Sequence, residues 1–166
     1  MKNILGKSLI VTIFVALLSA CEKPSVIEDA ELLNRLMVNS VDTLVYNSSK
    51  HVIEAEAYRN FFPGSSIPSK RPLIASVSLV NLDSVRISTD LDITKLYIIK
   101  DSIIWVSSPT STNSQSIPEY KLSKFSTDGP EWDTNILVDV VLEIWNSVNR
   151  ESYLMIVRDI TIERIE

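Results

Sequence analysis

Between Ile136 and Trp145 the apolar side chains Ile136, Val138, Val140, Leu142 and Ile144 fall on every second position, with Asp139 and Glu143 marking the other parity. A strict two-residue period is the signature of a half-buried β-strand, since successive side chains point to opposite faces. The same period governs most of the chain beyond Val41 and restricts it to sheet. Val41 to Tyr46 and His51 to Arg59 flank Asn47-Ser48-Ser49-Lys50 and are predicted to pair as a hairpin. Leu73, Ala75, Val77 and Leu79 alternate with Ser76 and Ser78. Lys95 to Lys100 and Ile103 to Val106 meet at Asp101-Ser102, a turn that without glycine needs an aspartate in the left-handed region. Tyr120 to Phe125 is a further strand. After Ser147-Val148-Asn149-Arg150 the chain resumes at Tyr153 to Val157, and Ile160, Ile162 and Ile165 carry the last strand almost to the end.

All seven prolines lie in the intervening loops or at strand starts, as ladder hydrogen bonding requires. Residues 41–166 thus read as one all-β domain of about seven to nine strands, an antiparallel two-sheet sandwich of immunoglobulin-like or fibronectin-like type. A small closed barrel is the alternative. Ahead of it, Ser25 and Glu28 have the spacing of a capping box, and Val26, Ala30, Leu33 and Met37 recur at helical spacing. These predict a short helix from Val26 to Asn39, within a tether spanning residues 21–40, packed against the domain or partly disordered.

The first twenty residues follow a different logic. Lys2 and Lys7 precede the apolar run Leu9 to Leu18, and Ser19-Ala20 are small, the layout of a secretory signal peptide. The apolar run falls well short of the roughly 20 residues of a spanning helix. Leu18-Ser19-Ala20-Cys21 resembles the lipobox of bacterial lipoproteins. That resemblance implies cleavage before Cys21, a diacylglyceryl group on its thiol and acylation of its amino group. Several acyl chains, each buried CH₂ worth about 0.8 kcal/mol, would hold the protein on a bilayer. Glu22 is not the aspartate that retains lipoproteins at the inner membrane of some bacteria, so the outer membrane is favoured, on the periplasmic or cell-surface side.

Cys21 is the only cysteine. Once lipidated, it leaves residues 21–166 with no thiol nucleophile, no disulfide and no cysteine metal site. Loss of Lys2 and Lys7 takes the formal charge from −5 to −7, a balance that argues against nucleic acid. Of three glycines only Gly64 and Gly129 follow the signal, too few for the known phosphate-cradling loops. No cofactor is expected. His51 is the only histidine, which excludes a two-histidine zinc site within one chain, and it reads as a surface or half-buried residue at the start of a strand.

Glu54-Ala55-Glu56-Ala57-Tyr58-Arg59-Asn60-Phe61-Phe62-Pro63, Leu96-Tyr97-Ile98-Ile99, and Gly129-Pro130-Glu131-Trp132 before Val138-Asp139-Val140-Val141 together resemble small uncharacterised bacterial lipoproteins with immunoglobulin-like domains. The resemblance carries over no functional residues. Glu54 and Glu56 share one strand face at about 6–7 Å, within the range of glycosidase carboxylates, although a solvated face explains them as well. Asp90 and Asp92, with Asp83 and Asp101, are candidate calcium oxygens without a calcium-loop glycine. Among the tryptophans, Trp132 is expected to plug an end of the sandwich and Trp145 to sit on the less buried face as a contact residue, while Trp105 lies in a run apolar on both faces.

Two segments offer recognition surfaces. Ser107 to Pro118 is polar and lacks periodicity, and Phe61 to Pro72 combines Phe61, Phe62 and Ile67 with Lys70 and Arg71. Loops on a rigid scaffold are the usual seat of recognition. Phe61, Phe62, Arg71 and Trp145 are therefore the candidate binding residues of a non-enzymatic envelope module with a protein or glycan partner. A hydrolase built on acidic residues and a sandwich-type protease inhibitor are the alternatives. Cys21→Ala should abolish incorporation of a fatty-acid analogue in metabolic labelling; equal labelling of wild type and variant would contradict the anchor.

Overall fold

The computed structural model describes residues 25–63, 71–111 and 117–166, so Cys21 and the signal segment lie outside it. The chain begins with β1 (Ser25–Glu28), antiparallel to β6 (Ile103–Ser107). Ser25 to Glu28 therefore extends the sheet instead of opening the helix. The helix α1 (Ala30–Asn39) starts later and is capped by Asp29, whose Oδ1 accepts from the Leu32 N–H at 2.9 Å. The capping-box spacing at Ser25 misplaced the helix start because Asp29, a stronger N-cap candidate one turn on, ends the pairing with β6.

β2 (Leu44–Tyr46) and β3 (Ser49–Asn60) form the expected hairpin, joined by Asn47 and Ser48, both at positive φ, the two-residue turn that matches strand twist. β4 (Leu73–Asn81) pairs antiparallel with β3 and buries Leu73, Ala75, Val77 and Leu79. β5 (Leu91–Lys100) and β6 form the second expected hairpin, with Asp101 in the left-handed region as anticipated. β7 (Thr110–Ser111) is a two-residue strand inside a segment expected to be irregular, and it pairs with β8 (Lys121–Ser126). β9 (Leu137–Asn146) buries Val138, Val140, Leu142 and Ile144 on its inner face.

The last strand, β10 (Glu151–Ile165), sets the architecture. It runs antiparallel to β9 up to Thr161 and then parallel to β3 from Ile162 to Ile165. The register shifts between Val157 and Ile160, where Asp159 takes φ 59°, a bulge that bends and twists the strand. Among the described residues the strands form one sheet in the order β1-β6-β5-β9-β10-β3-β4-β8-β7, with β2 beside β3. The protein is thus mostly β, but the antiparallel two-sheet immunoglobulin-like sandwich gives way to a single curled, mixed sheet resembling half a barrel. The parallel β10–β3 pairing is the reason: it joins the two halves side by side through a shared strand, where a sandwich would stack them as separate layers.

The inner face of the curl holds the main core, including Leu79, Ile93, Leu96, Leu142, Met155 and Ile162. Where the curl brings β5 and β8 face to face, the Lys124 ammonium donates to the Ile93 carbonyl and pairs with Asp92, each at 2.7 Å. Nearby, Ser107 Oγ donates to Ser126 Oγ at 3.0 Å. Gly129 sits where a Cβ would stand 2.9 Å from the Leu73 carbonyl and from Trp105, so this close approach admits only glycine. On the outer face, α1 packs Leu36 against Tyr97, Ile99, Ile104, Val141 and Ile156. The run Ile103 to Val106 is apolar on both faces because both are covered: Trp105 belongs to the inner core and Ile104 to the layer beneath α1.

Val140 is 1 % exposed, so Val140→Asp buries an unpaired charge and should cost more than about 4 kcal/mol. A thermal melt followed by circular dichroism checks this, and an unchanged midpoint would refute the inward orientation of that face.

Candidate functional site

The β10–β3 ladder ends by placing Arg164 directly opposite Arg59. Like charges opposed across a ladder repel, so the surroundings must compensate. The first compensation is Phe61, whose backbone N–H donates to the Ile165 carbonyl at 2.8 Å and so continues the pairing. Its ring centroid lies 4.1 Å from the guanidinium carbon of Arg164, 5.3 Å from that of Arg59 and 5.7 Å from that of Arg71. Each cation over such a ring gains about 0.5–1 kcal/mol at an exposed site.

The second compensation is carboxylate. Arg59 Nη2 pairs with Glu131 Oε2 at 3.4 Å, and Arg164 pairs with Glu166. Arg59 is nearly buried and also donates from Nε to the Arg71 carbonyl at 2.6 Å and from Nη1 to the Trp132 carbonyl at 2.8 Å. It therefore ties the end of β3 to both the β3–β4 crossover and the segment before β9. Arg71 reaches back through Nη1 to the carbonyls of Asn60 and Phe62, each at 3.4 Å. The Phe62 N–H donates to Asn60 Oδ1 at 2.8 Å, and its side chain stands 47 % exposed. Among the described residues, three guanidiniums meet two paired carboxylates around the Phe61 ring, a local surplus of positive charge on a chain of net charge −5.

Of the candidate binding residues, Phe61, Phe62 and Arg71 are thus brought together. Gly64 to Lys70, between them in sequence, lie outside the described residues, as do Thr112 to Ser116 of the second loop. Trp145 is elsewhere, opposite Asp92 and Ser152 at the other end of β9 and β10, 36 % exposed. Trp132 packs against the main core, in keeping with its expected role as a plug.

The remaining candidates lie apart from this patch, and Glu54, Asp90 and Asp92 have partners of their own. Glu54 is bound to Lys121 at 2.7 Å, and it shares with Glu56 a sheet face lined by Ser76, Ser78 and Ser123. The Glu54 contact raises the Lys121 pKa above its ordinary value. Asp92 is held by Lys124, and Asp90 Oδ2 accepts from Ser88 Oγ at 2.9 Å. Among the described residues no group of three or more histidine, cysteine or acidic side chains converges as a metal site. His51, expected at or near the surface, is 2 % exposed and its Nδ1 has no partner. Burial lowers its pKa below the ordinary value. It is buried because its inward parity places it with Ile53 and Leu44 beneath the hairpin.

Arg59 and Arg164 went unrecognised as site residues in the sequence. The available signal was that both terminate strands, Arg59 just before Asn60-Phe61 and Arg164 just before Ile165. No periodicity could say that these two ends lie side by side. Compared with protein-family models, with curated proteins and with solved structures, the chain matches none.

Arg59→Ala would strand the carbonyls of Arg71 and Trp132 and the Glu131 carboxylate. It should destabilise the domain by about 2–3 kcal/mol, whereas Phe62→Ala should change stability by less than about 0.5 kcal/mol. Urea titration of both variants separates the positioning residue from the exposed one; equal losses would contradict the assignment.

Proposed function

We propose that the protein is a non-enzymatic binding module of the cell envelope, lipid-anchored through Cys21, that contacts a partner through the patch formed by Phe61, Phe62 and Arg71 together with Arg164. The observation that carries this reading is the pair of opposed arginines at the end of the β10–β3 ladder, kept beside an exposed phenylalanine. Opposing like charges across a ladder is unfavourable in itself, so the fold keeps a juxtaposition that Phe61 and the nearby carboxylates have to offset, and it leaves Phe62 47 % exposed. Arginine and aromatic side chains are also the residues that dominate binding energy at interfaces. The lipobox-like sequence supports attachment to a membrane, with the outer membrane favoured, and the overall acidity of the chain supports a partner other than nucleic acid.

A photoreactive benzoylphenylalanine placed at position 62, in cells making the full chain, should yield a defined crosslinked product. The same probe at Val45, exposed on β2 beside the opposite end of β3, should not. Arg71→Gln should reduce the yield from position 62 several-fold while the circular dichroism spectrum stays native. Equal products from both positions, or none from position 62, would overturn the assignment of this patch.

A further inference from the structure

We infer that the ligand of this patch is an acidic peptide segment, whose carboxylate takes the guanidinium donors of Arg71 and Arg164 and displaces the side chain of Glu166. The inference rests on the reading of the patch as a contact surface and names the chemistry of what it contacts.

The argument starts from donor accounting. A guanidinium carries five N–H donors in a planar fork suited to carboxylates. Arg59 has its donors engaged by the carbonyls of Arg71 and Trp132 and by Glu131, so it positions the patch and is not free to bind. Arg71 uses only Nη1, in two contacts of 3.4 Å; its Nε and Nη2 have no hydrogen bond among the described residues. Arg164 directs Nε and Nη2 at a single oxygen of Glu166 and leaves Nη1 over. The two guanidinium carbons lie 5.7 and 4.1 Å from the centroid of the same Phe61 ring, hence within about 10 Å of each other, a span that one acidic side chain between them can bridge.

Glu166 indicates what fits there. It is a side-chain carboxylate carried by the residue just after β10, two positions beyond Arg164, and it already occupies part of the donor set. Arg164 and Glu166 are 50 % and 66 % exposed in their side chains, and an ion pair that open to water contributes little. An incoming acidic side chain can therefore replace it at small cost while also engaging Arg71, and an apolar neighbour on the same peptide can cover Phe62. The internal occupant is a peptide carboxylate, which favours a peptide over a carboxylated glycan or a phosphate group.

The test is fluorescence anisotropy on the full chain with a fluorescein-labelled hexaglutamate peptide, with hexalysine as the control. Arg71→Gln and Arg164→Gln should each weaken hexaglutamate binding about five-fold or more, Glu166→Gln should strengthen it several-fold, and any hexalysine binding to the acidic surface should not be weakened by either arginine variant. Hexaglutamate binding that ignores both arginine variants, or that Glu166→Gln fails to strengthen, would overturn the inference. So would unlabelled polygalacturonate or inorganic phosphate that binds where hexaglutamate does not. Position 62 separates the two proposals: crosslinking there without hexaglutamate binding leaves the contact patch standing and removes the acidic peptide, while loss of both removes both.

Discussion

One strand belonging to two ladders is the constraint on which the rest of the molecule depends. β10 runs beside β9 as far as Thr161 and beside β3 from Ile162, and just ahead of that change it is bent by the bulge at Arg158 and Asp159. Asp139 of β9 holds that bulge from the side, accepting from the Asp159 N–H at 3.2 Å and pairing with Arg158 at 3.7 Å. A strand bent in this way forces the sheet to curl, and the curl brings β5 and β8 into facing positions, where a buried lysine bridges them. The far end of the same strand sets Arg164 against Arg59. Core and candidate site are thus two outcomes of one backbone feature.

Much of the local structure was legible because it is written in adjacent residues. The faces of β4 and β9, the Asn47-Ser48 hairpin and the left-handed Asp101 each follow from period, turn chemistry or proline placement. What the sequence could not show is how elements distant along the chain combine. The parallel pairing of Ile162 with Ala57 uses residues that look like any other strand end. Val141 has the parity of Asp139 and Glu143 yet is fully buried, because α1 covers that face. His51 reads as a polar turn neighbour in sequence and is a core residue in space. Phe61, Phe62 and Arg71 were legible as a candidate patch by composition, and their neighbours Arg59 and Arg164 were not.

The electrostatics follow the same division. An acidic chain repels anions at long range, but screening over roughly 10 Å at 0.1 M salt confines that repulsion to near neighbours. A local surplus of guanidinium can therefore present a positive contact within a negative molecule. Arg59 shows how such a surplus is kept in place: three of its bonds are to backbone carbonyls, whose dipoles favour the cation without cancelling its formal charge.

Among the described residues the sheet ends in two outer strands, and their character governs how neighbouring copies can meet. One margin is the four-residue β1 and the other the two-residue β7. Both are too short to template a long ladder, and β1 gives way at once to α1. Of the longer strands, β9 has β5 and β10 on its two sides, whereas β10 has β3 beside only Ile162 to Ile165 and, between Glu151 and Thr161, a single bridge from Met155 to Val41. Brevity thus blunts the edge at β1 and β7, and at the first part of β10 the bulge at Arg158 and Asp159 does so instead, bending the backbone out of the straight line that a neighbouring copy would need for pairing.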